Sequence, residues 1–275
     1  MTSIALFGAG GKMGLRLARN LRNSRFDVRH VEVSDAGRAR LRDDFGLECV
    51  AAAAALDGAE VAILAVPDTA IGKVANGILD LLKPGMMVMI LDAAAPFAGH
   101  LPDRPDLTYF VTHPCHPPIF NDETDPAAQK DRFGGLAAKQ HIVNALMQGP
   151  DEAYALGDEV ARAIWAPVMR SHRVTVEQMA LLEPGLSETV VASLLDVMRE
   201  AMDEVVRRGV PAQAARDFLL GHMNVLGAVI FQEQPGMFSD ACNKAIQFGK
   251  PALMRPDWKN VFEPTEIAAS IRRIT

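Results

Sequence analysis

Short apolar runs punctuate the first two thirds of the chain and alternate with stretches of helical periodicity. Residues 4–7 (Ile-Ala-Leu-Phe) run straight into a glycine cluster, and residues 15–21 read as helix. Residues 28–33 (Val-Arg-His-Val-Glu-Val) alternate with period two, as a half-buried strand does. Continuous apolar runs over 61–66, 87–91 and 109–112 stop at Pro67-Asp68, Asp92 and His113-Pro114. Uninterrupted runs of this length suit parallel strands covered on both faces. Residues 141–147 and 168–176 predict two more strands, with a helix over 151–165 between them. Strands alternating with helices imply right-handed βαβ units, so the expected fold is α/β, a Rossmann-type, mainly parallel sheet.

From about residue 175 the pattern turns all-helical. Residues 177–208 read as helix interrupted at Pro184-Gly185, and Leu186, Val190, Leu194, Val197, Ala201 and Val205 form one apolar stripe. Gly209 and Pro211 end it. Residues 212–231 and 239–248 predict two further helices. The expected division is a dinucleotide-binding Rossmann domain over 1–170 and a helical substrate and dimerisation domain over 171–275.

Composition narrows the function classes. With 275 residues, 49% of them hydrophobic, the chain can bury a core without metals or disulfides. A net charge of −6 and 6% aromatics argue against nucleic-acid binding, which needs clustered positive charge and stacking rings. No apolar run approaches the ~18 residues that span a bilayer, so no membrane association is expected. No basic region precedes the first apolar run, and Cys49, Cys115 and Cys242 form no CxxC. Both features fit a cytoplasmic, reducing compartment.

The chemistry-bearing residues cluster at predicted strand ends. Gly8-Ala9-Gly10-Gly11-Lys12-Met13-Gly14 follows a strand and opens a helix, the context in which a glycine loop receives a pyrophosphate. Met13 stands where plain GxGxxG would have its third glycine; Gly8, Gly11 and Gly14 give GxxGxxG instead. Gly8, Gly10, Gly11, Lys12 and Met13 are therefore candidate cofactor contacts. Glu32 is placed to meet the adenosine ribose and to repel a 2′-phosphate, favouring NAD; Arg38 and Arg40 are the counter-signal for NADP. Pro67 and Asp68 should line the ribose and nicotinamide side of the crevice, unless Asp68 only caps the helix behind it. Thr112-His113-Pro114-Cys115-His116-Pro117-Pro118 is a proline-stiffened loop that would hold two imidazoles for proton transfer or metal binding. Cys115 reads as a small buried filler. Glu183 falls on the apolar stripe if the helix is continuous, and a carboxylate there needs a cationic or metal partner. If Pro184 restarts the helix, Glu183 turns outward and Glu188 is the alternative acid.

The glycine loop, Ala65-Val66-Pro67-Asp68-Thr69, the strand-end histidine loop and the helical C-terminal part together resemble the 6-phosphogluconate dehydrogenase-like superfamily. His113-Pro114 also looks like the HP motif of prephenate dehydrogenases, but Cys115-His116-Pro117-Pro118 departs from it. Gly8 to Gly14, the segments Val31-Glu32-Val33-Ser34-Asp35 and Leu181-Leu182-Glu183-Pro184-Gly185, and the histidine loop are similar to the D-apionate oxidoisomerase family. That resemblance implies NAD-dependent oxidation of a branched sugar acid, a small carboxylate, coupled to a ketol-type rearrangement, in a homodimer. Such a shift needs a Lewis acid, so His113 and Glu183 are the expected ligands of a divalent metal ion and His116 the expected acid/base group. A simple hydroxy-acid dehydrogenase and a non-catalytic NAD(H) sensor are the competing readings.

Overall fold

The computed structural model describes residues 1–275. Seven strands form one sheet: β1 (Ser3–Phe7), β2 (Asp27–Val31), β3 (Val61–Leu64), β4 (Met87–Ile90), β5 (Thr108–Pro114), β6 (Gln140–Gln148) and β7 (Val168–Arg173), in the order β2-β1-β3-β4-β5-β6-β7. Neighbours are parallel except β5 and β6. The chain leaves β1 towards β2 and then crosses to β3 on the other side. This reversal opens a crevice at the carboxyl ends of β1 and β3. The helices of this part are α1 (Lys12–Arg22), α2 (Asp35–Phe45), α3 (Ala52–Leu56), α4 (Asp68–Gly77), α5 (Ala94–Phe97), α6 (Pro126–Lys130), α7 (Ala153–Ile164) and α8 (Val176–Ala180).

The central strands read as unbroken apolar runs because alternate residues feed two cores. Ile4, Leu6, Val61, Ile63, Met87 and Met89 pack with Leu17, Leu21, Val160 and Ile164 of α1 and α7. Their neighbours Ala5, Phe7, Ala62, Leu64, Val88 and Ile90 pack with Leu56, Ile71 and Ala75 of α3 and α4. Between β5 and β6 the chain carries only the five-residue α6, and the Cys115 N–H bonds the His141 carbonyl at 2.9 Å. β6 therefore starts where β5 stops and runs back antiparallel.

The chain divides into Met1–Glu183 with Ala268–Thr275, and Pro184–Ile267. The expected boundary between residues 170 and 171 is corrected by this division, because it cuts through β7. Ser171, His172 and Arg173 pair with Ile142, Val143 and Asn144, and Val176 and Met179 join the core beside Val143 and Ala145. The expected helical break at Pro184 takes a different form. Leu181–Ala192 winds as a π-helix with Pro184 inside it. A proline has no N–H to donate and crowds the carbonyl four residues back; a wider turn relieves both.

The second unit, Pro184–Ile267, holds α9 (Ser193–Arg207), α10 (Ala212–Ile230), α11 (Asp240–Leu253) and the start of α12 (Pro264–Ile274). The expected apolar stripe is present on α9, yet α9 has no buried residue: Leu194, Val197, Met198 and Val205 stay 37–45% exposed. A cavity of about 630 Å³ is lined by Met198, Val205, Phe218, Leu219 and Leu226 of α9 and α10, all apolar. No helix is long and apolar enough to cross a membrane.

Phe110 sits at the middle of β5, fully buried, with its ring against Tyr154 (centroids 5.5 Å apart) and against the backbone of Gly157, where no Cβ would fit. Phe110→Ala should lower the unfolding free energy by about 3–5 kcal/mol, read as a shift of the denaturant midpoint at unchanged slope. A loss below about 1 kcal/mol would show that this layer does not hold the sheet together.

Candidate active site

The chain turns sharply at the end of β1. Gly8 has φ +70°, and a Cβ on it would lie 2.4 Å from the Ala65 carbonyl oxygen just beyond β3. Gly10 lies against α2, where a Cβ would come within 2.4 Å of the Gly37 carbonyl oxygen, and Gly14 is equally tight against Gly8. Gly11 meets only the Gly8 oxygen, at 3.2 Å. The close approaches thus fall on Gly8, Gly10 and Gly14, a mixture of the two spacings read from the sequence. Gly11 caps α1 without any side-chain hydrogen bond, which leaves the first N–H groups of the helix for an anion. Lys12 and Met13 open that helix; Lys12 is exposed and Met13 packs on the core.

Glu32, one residue past β2, is buried and fully bonded. Its Oε2 accepts the Gly10 N–H at 2.9 Å; its Oε1 accepts the Val33 and Ser34 N–H groups at 2.8 and 2.9 Å and the Ser34 hydroxyl at 3.1 Å. Burial alone would raise this carboxyl, but the donors from Ser34, Gly10 and Val33 outweigh it and hold the group below the usual carboxylate range. Arg40 donates to the Gly10 carbonyl through Nε and one terminal nitrogen, at 3.1 and 2.8 Å. The Gly10 peptide is therefore gripped from both sides. Arg38 donates to the Glu32 carbonyl at 2.7 Å. Both arginines weighed as partners for a 2′-phosphate are bonded inside this loop.

β3, β4 and β5 end on the same edge. Pro67 precedes α4, and Asp68 is the first residue of that helix rather than its cap. Burial raises the Asp68 carboxyl and the charges of Asp92 and Glu183 add to the rise, against a backbone hydrogen bond and His113. Asp92 follows β4 and accepts the Ala94 N–H at 2.7 Å. His113 Nδ1 lies 3.0 Å from the Leu91 carbonyl. A carbonyl only accepts, so Nδ1 carries a proton, and in the neutral ring Nε2 presents a lone pair. That Nε2 is buried without a hydrogen-bond partner, 3.4 Å from Glu183 Oε2, while Asp92 Oδ2 lies 3.4 Å from Nδ1. One ligand atom from each of Asp92, His113 and Glu183 falls within 4.8 Å of the other two.

Two acceptors facing each other at 3.4 Å repel unless a proton or a metal cation lies between them, and two carboxylates with one imidazole suit a divalent ion. The residues present fit such an ion. His113 and Glu183 are brought together as the sequence suggested; Asp92 was missed. Its signal was there: an acid stopping an apolar run, as Asp68 does after Pro67.

His116 stands beside this group, its ring edge-on to that of His113 with centroids 6.2 Å apart. Its backbone is left-handed, φ +62°, and its Nδ1 lies 2.8 Å from the Phe133 carbonyl. Cys115 is exposed, contrary to the expectation of a buried filler. His222 lies in the second unit, stacked on Phe218, and Arg173 and Arg255 are paired with Asp151 and Asp257.

The family described as NADP oxidoreductase coenzyme F420-dependent matches residues 3–95, and that described as phosphogluconate dehydrogenase (decarboxylating) C-term matches residues 121–275. The chain is 80% identical over 275 residues, the whole of both chains, to the D-apionate oxidoisomerase of Rhizobium rhizogenes. It is 43% identical to that of Blautia hydrogenotrophica over 264 residues, 94% of this chain and 92% of the other. The chain belongs to the D-apionate oxidoisomerase family. A crystal structure of a semialdehyde dehydrogenase NAD-binding protein from Cupriavidus necator, in complex with calcium and NAD, matches with a TM-score of 0.99 at 72% identity over 100% of both chains. The NADH-preferring ketol-acid reductoisomerase of an uncultured archaeon shares the fold (TM-score 0.68, 17% identity, 99% of this chain and 82% of the other).

In this oxidoisomerase-family chain, Glu32→Gln keeps one acceptor oxygen and turns an NH2 group towards either the Gly10 N–H or the Val33 and Ser34 donors, and should cost about 1–3 kcal/mol of stability at neutral pH. The folded-state pKa of Glu32 is depressed. Its stabilisation is therefore present above the unfolded value, about 4.3, and lost as pH falls through the lower folded value. Denaturant midpoints followed from neutral pH into acid should fall more steeply for the native chain than for the variant. Parallel curves would remove Glu32 as the loop's anchor.

Proposed function

We propose that this chain catalyses the NAD-dependent conversion of D-apionate to 3-oxo-isoapionate, oxidation of the C2 hydroxyl coupled to a ketol-type shift. The observation that carries the reading is the buried, unpartnered Nε2 of His113, facing Glu183 on the strand-end edge that also carries the glycine loop. Gly8, Gly10, Gly11, Lys12 and Met13 receive the pyrophosphate at the open N-terminus of α1. The ionised Glu32 carboxylate repels a 2′-phosphate, so NAD is preferred over NADP. Pro67 and Asp68 border the nicotinamide side. NAD, when bound, accepts the hydride from C2. The Cupriavidus necator relative was solved with both NAD and calcium, which supports the pairing of a dinucleotide with a divalent cation.

Asp92, His113 and Glu183 hold that cation. When bound it acts as a Lewis acid, polarising the C2 ketone and easing the charge on the C3 oxygen. His116 takes the C2 hydroxyl proton as the hydride leaves, a task that suits an imidazole near neutral pH. In the shift, the bond from C3 to its hydroxymethyl carbon breaks and its electron pair forms the new bond to C2. C3 becomes the ketone, and the proton from its hydroxyl ends on the C2 oxygen. The net change is two electrons and a proton to NAD as hydride, with one further proton released.

The exposed apolar residues of α9 support a homodimer built through the helical unit, since a single chain leaves Leu194, Val197 and Val205 facing water. The three free cysteines suit a cytoplasmic setting.

Chelated protein should lose the oxidoisomerase activity and regain it with a divalent cation, and Asp92→Asn and Glu183→Gln should each weaken cation binding at least about tenfold. The product identified by NMR should carry the rearranged skeleton. Full activity in metal-free protein would overturn the cation's role, and an unrearranged keto acid would reduce the enzyme to a plain dehydrogenase. Light scattering at working concentration should return twice the 29.7 kDa chain mass; a monomer would remove the dimer.

A further inference from the structure

The segment 131–138 contains a buried acid that touches no substrate-facing group, yet its bonds lead to His116. Asp131, 8% exposed, folds the chain around its own carboxylate. Oδ1 accepts the Gly134 N–H at 3.0 Å, and Oδ2 accepts those of Leu136, Ala137 and Ala138 at 3.0, 2.9 and 3.2 Å. Four donors on one carboxylate fix the course of the loop. The loop presents Phe133. The Phe133 carbonyl faces His116 Nδ1 at 2.8 Å, and its ring meets the His116 ring edge-on with centroids 4.8 Å apart. On the other side the Arg16 guanidinium lies 3.8 Å from the Phe133 ring centroid and 4.0 Å from Asp131 Oδ1. Arg16 belongs to α1, the helix that the glycine loop opens. His116 itself holds a left-handed backbone, a conformation that a non-glycine residue keeps only when its surroundings impose it.

We infer that Asp131 is a positioning residue for His116: by holding residues 131–138 in place it aims the Phe133 carbonyl at His116 Nδ1, fixing the Nδ1–H tautomer and leaving Nε2 as the one ring atom able to exchange a proton with substrate. The inference rests on the reading of His116 as the acid/base group. The same loop clamps Phe133 against α1, so the ring that carries the proton and the helix that receives the dinucleotide share one brace. Neither Asp131 nor Phe133 belongs to the group formed by Asp92, His113 and Glu183.

The test separates the two ideas. His116→Ala should abolish turnover; substantial activity in it would end the acid/base reading, whatever Asp131 does. Asp131→Ala should lower kcat by about tenfold or more, a share of what a positioned proton-transfer group contributes, with a smaller change in the KM for NAD. Nitrogen-15 NMR of the histidine rings in the protein without ligands, near pH 8, gives a readout that general loosening would not move selectively. The native chain should show His116 as the Nδ1–H tautomer, and Asp131→Ala should shift it towards Nε2–H while His113 keeps its signal. Should the alanine variant not fold, Asp131→Asn carries the same test: its amide oxygen can serve three donors but not the fourth, so both kcat and the tautomer should move part of the way. An Nε2–H tautomer in the native chain, or a tautomer and kcat unchanged in the variants while His116→Ala is dead, would overturn the inference.

Discussion

The site depends on the register of four parallel strands that stop on one edge. Phe7 pairs with Leu64, Leu64 with Ile90, and Ile90 with Val111. The next residues along these strands therefore emerge side by side: Gly8, Ala65, Leu91, and Thr112 with His113 just beyond. A shift of one residue between β4 and β5 would turn side chains to the opposite face and part Asp92 from His113. The buried apolar runs fix that register because each face has its own core to fill. The chemistry at the edge is thus set by residues such as Ile63, Met89 and Phe110 that never approach it.

How far this was legible follows from what each kind of signal contains. The strands and the glycine loop were readable because period and glycine placement are local properties. The edge positions of His113 and Asp68 followed from where apolar runs stop. Asp92 carried the same signal and was passed over because an acid after a strand is also an ordinary helix-starting residue. The antiparallel turn of β6 was not foreseen, since 25 residues separate β5 from β6 and the segment's poverty in helix shows only in the structure. Glu183 was found by an argument about a continuous apolar stripe, yet it reaches His113 from the first turn of a π-helix. Hydrophobic periodicity assumes 3.6 residues per turn and cannot anticipate a proline absorbed by a wider one. Glu32 was placed correctly in the chain, but that its carboxylate also grips the Gly10 N–H is a tertiary fact. Asp131 gave only a faint sign, an acid followed by Gly134-Gly135, and its four backbone bonds exist only once the loop is folded.

Electrostatics explain why the edge is poised for ligands. Asp68, Asp92 and Glu183 gather three carboxyls around one imidazole, and burial with mutual repulsion already lifts Asp68. Three carboxyls held this close favour a positive charge among them, whether a protonated imidazole or a metal cation. Such local conflict in an otherwise self-consistent fold is expected where a site serves binding rather than stability, and it supports the reading proposed for this cluster.

The two histidines of the loop show how similar side chains acquire different work. Each has Nδ1 against a backbone carbonyl, Leu91 for His113 and Phe133 for His116, so each is held in the same tautomer. What differs is the environment of Nε2. In His113 that atom is buried without a hydrogen-bond partner and faces a carboxylate, which suits the cation proposed there. The His116 ring lies outside the group formed by Asp92, His113 and Glu183, which suits it to the proton transfer proposed for it. On the proposed reading one imidazole serves the cation and the other the proton. Pro114 lies between the two histidines and Pro117 directly follows the second, so proline restricts the backbone on which both rings are mounted.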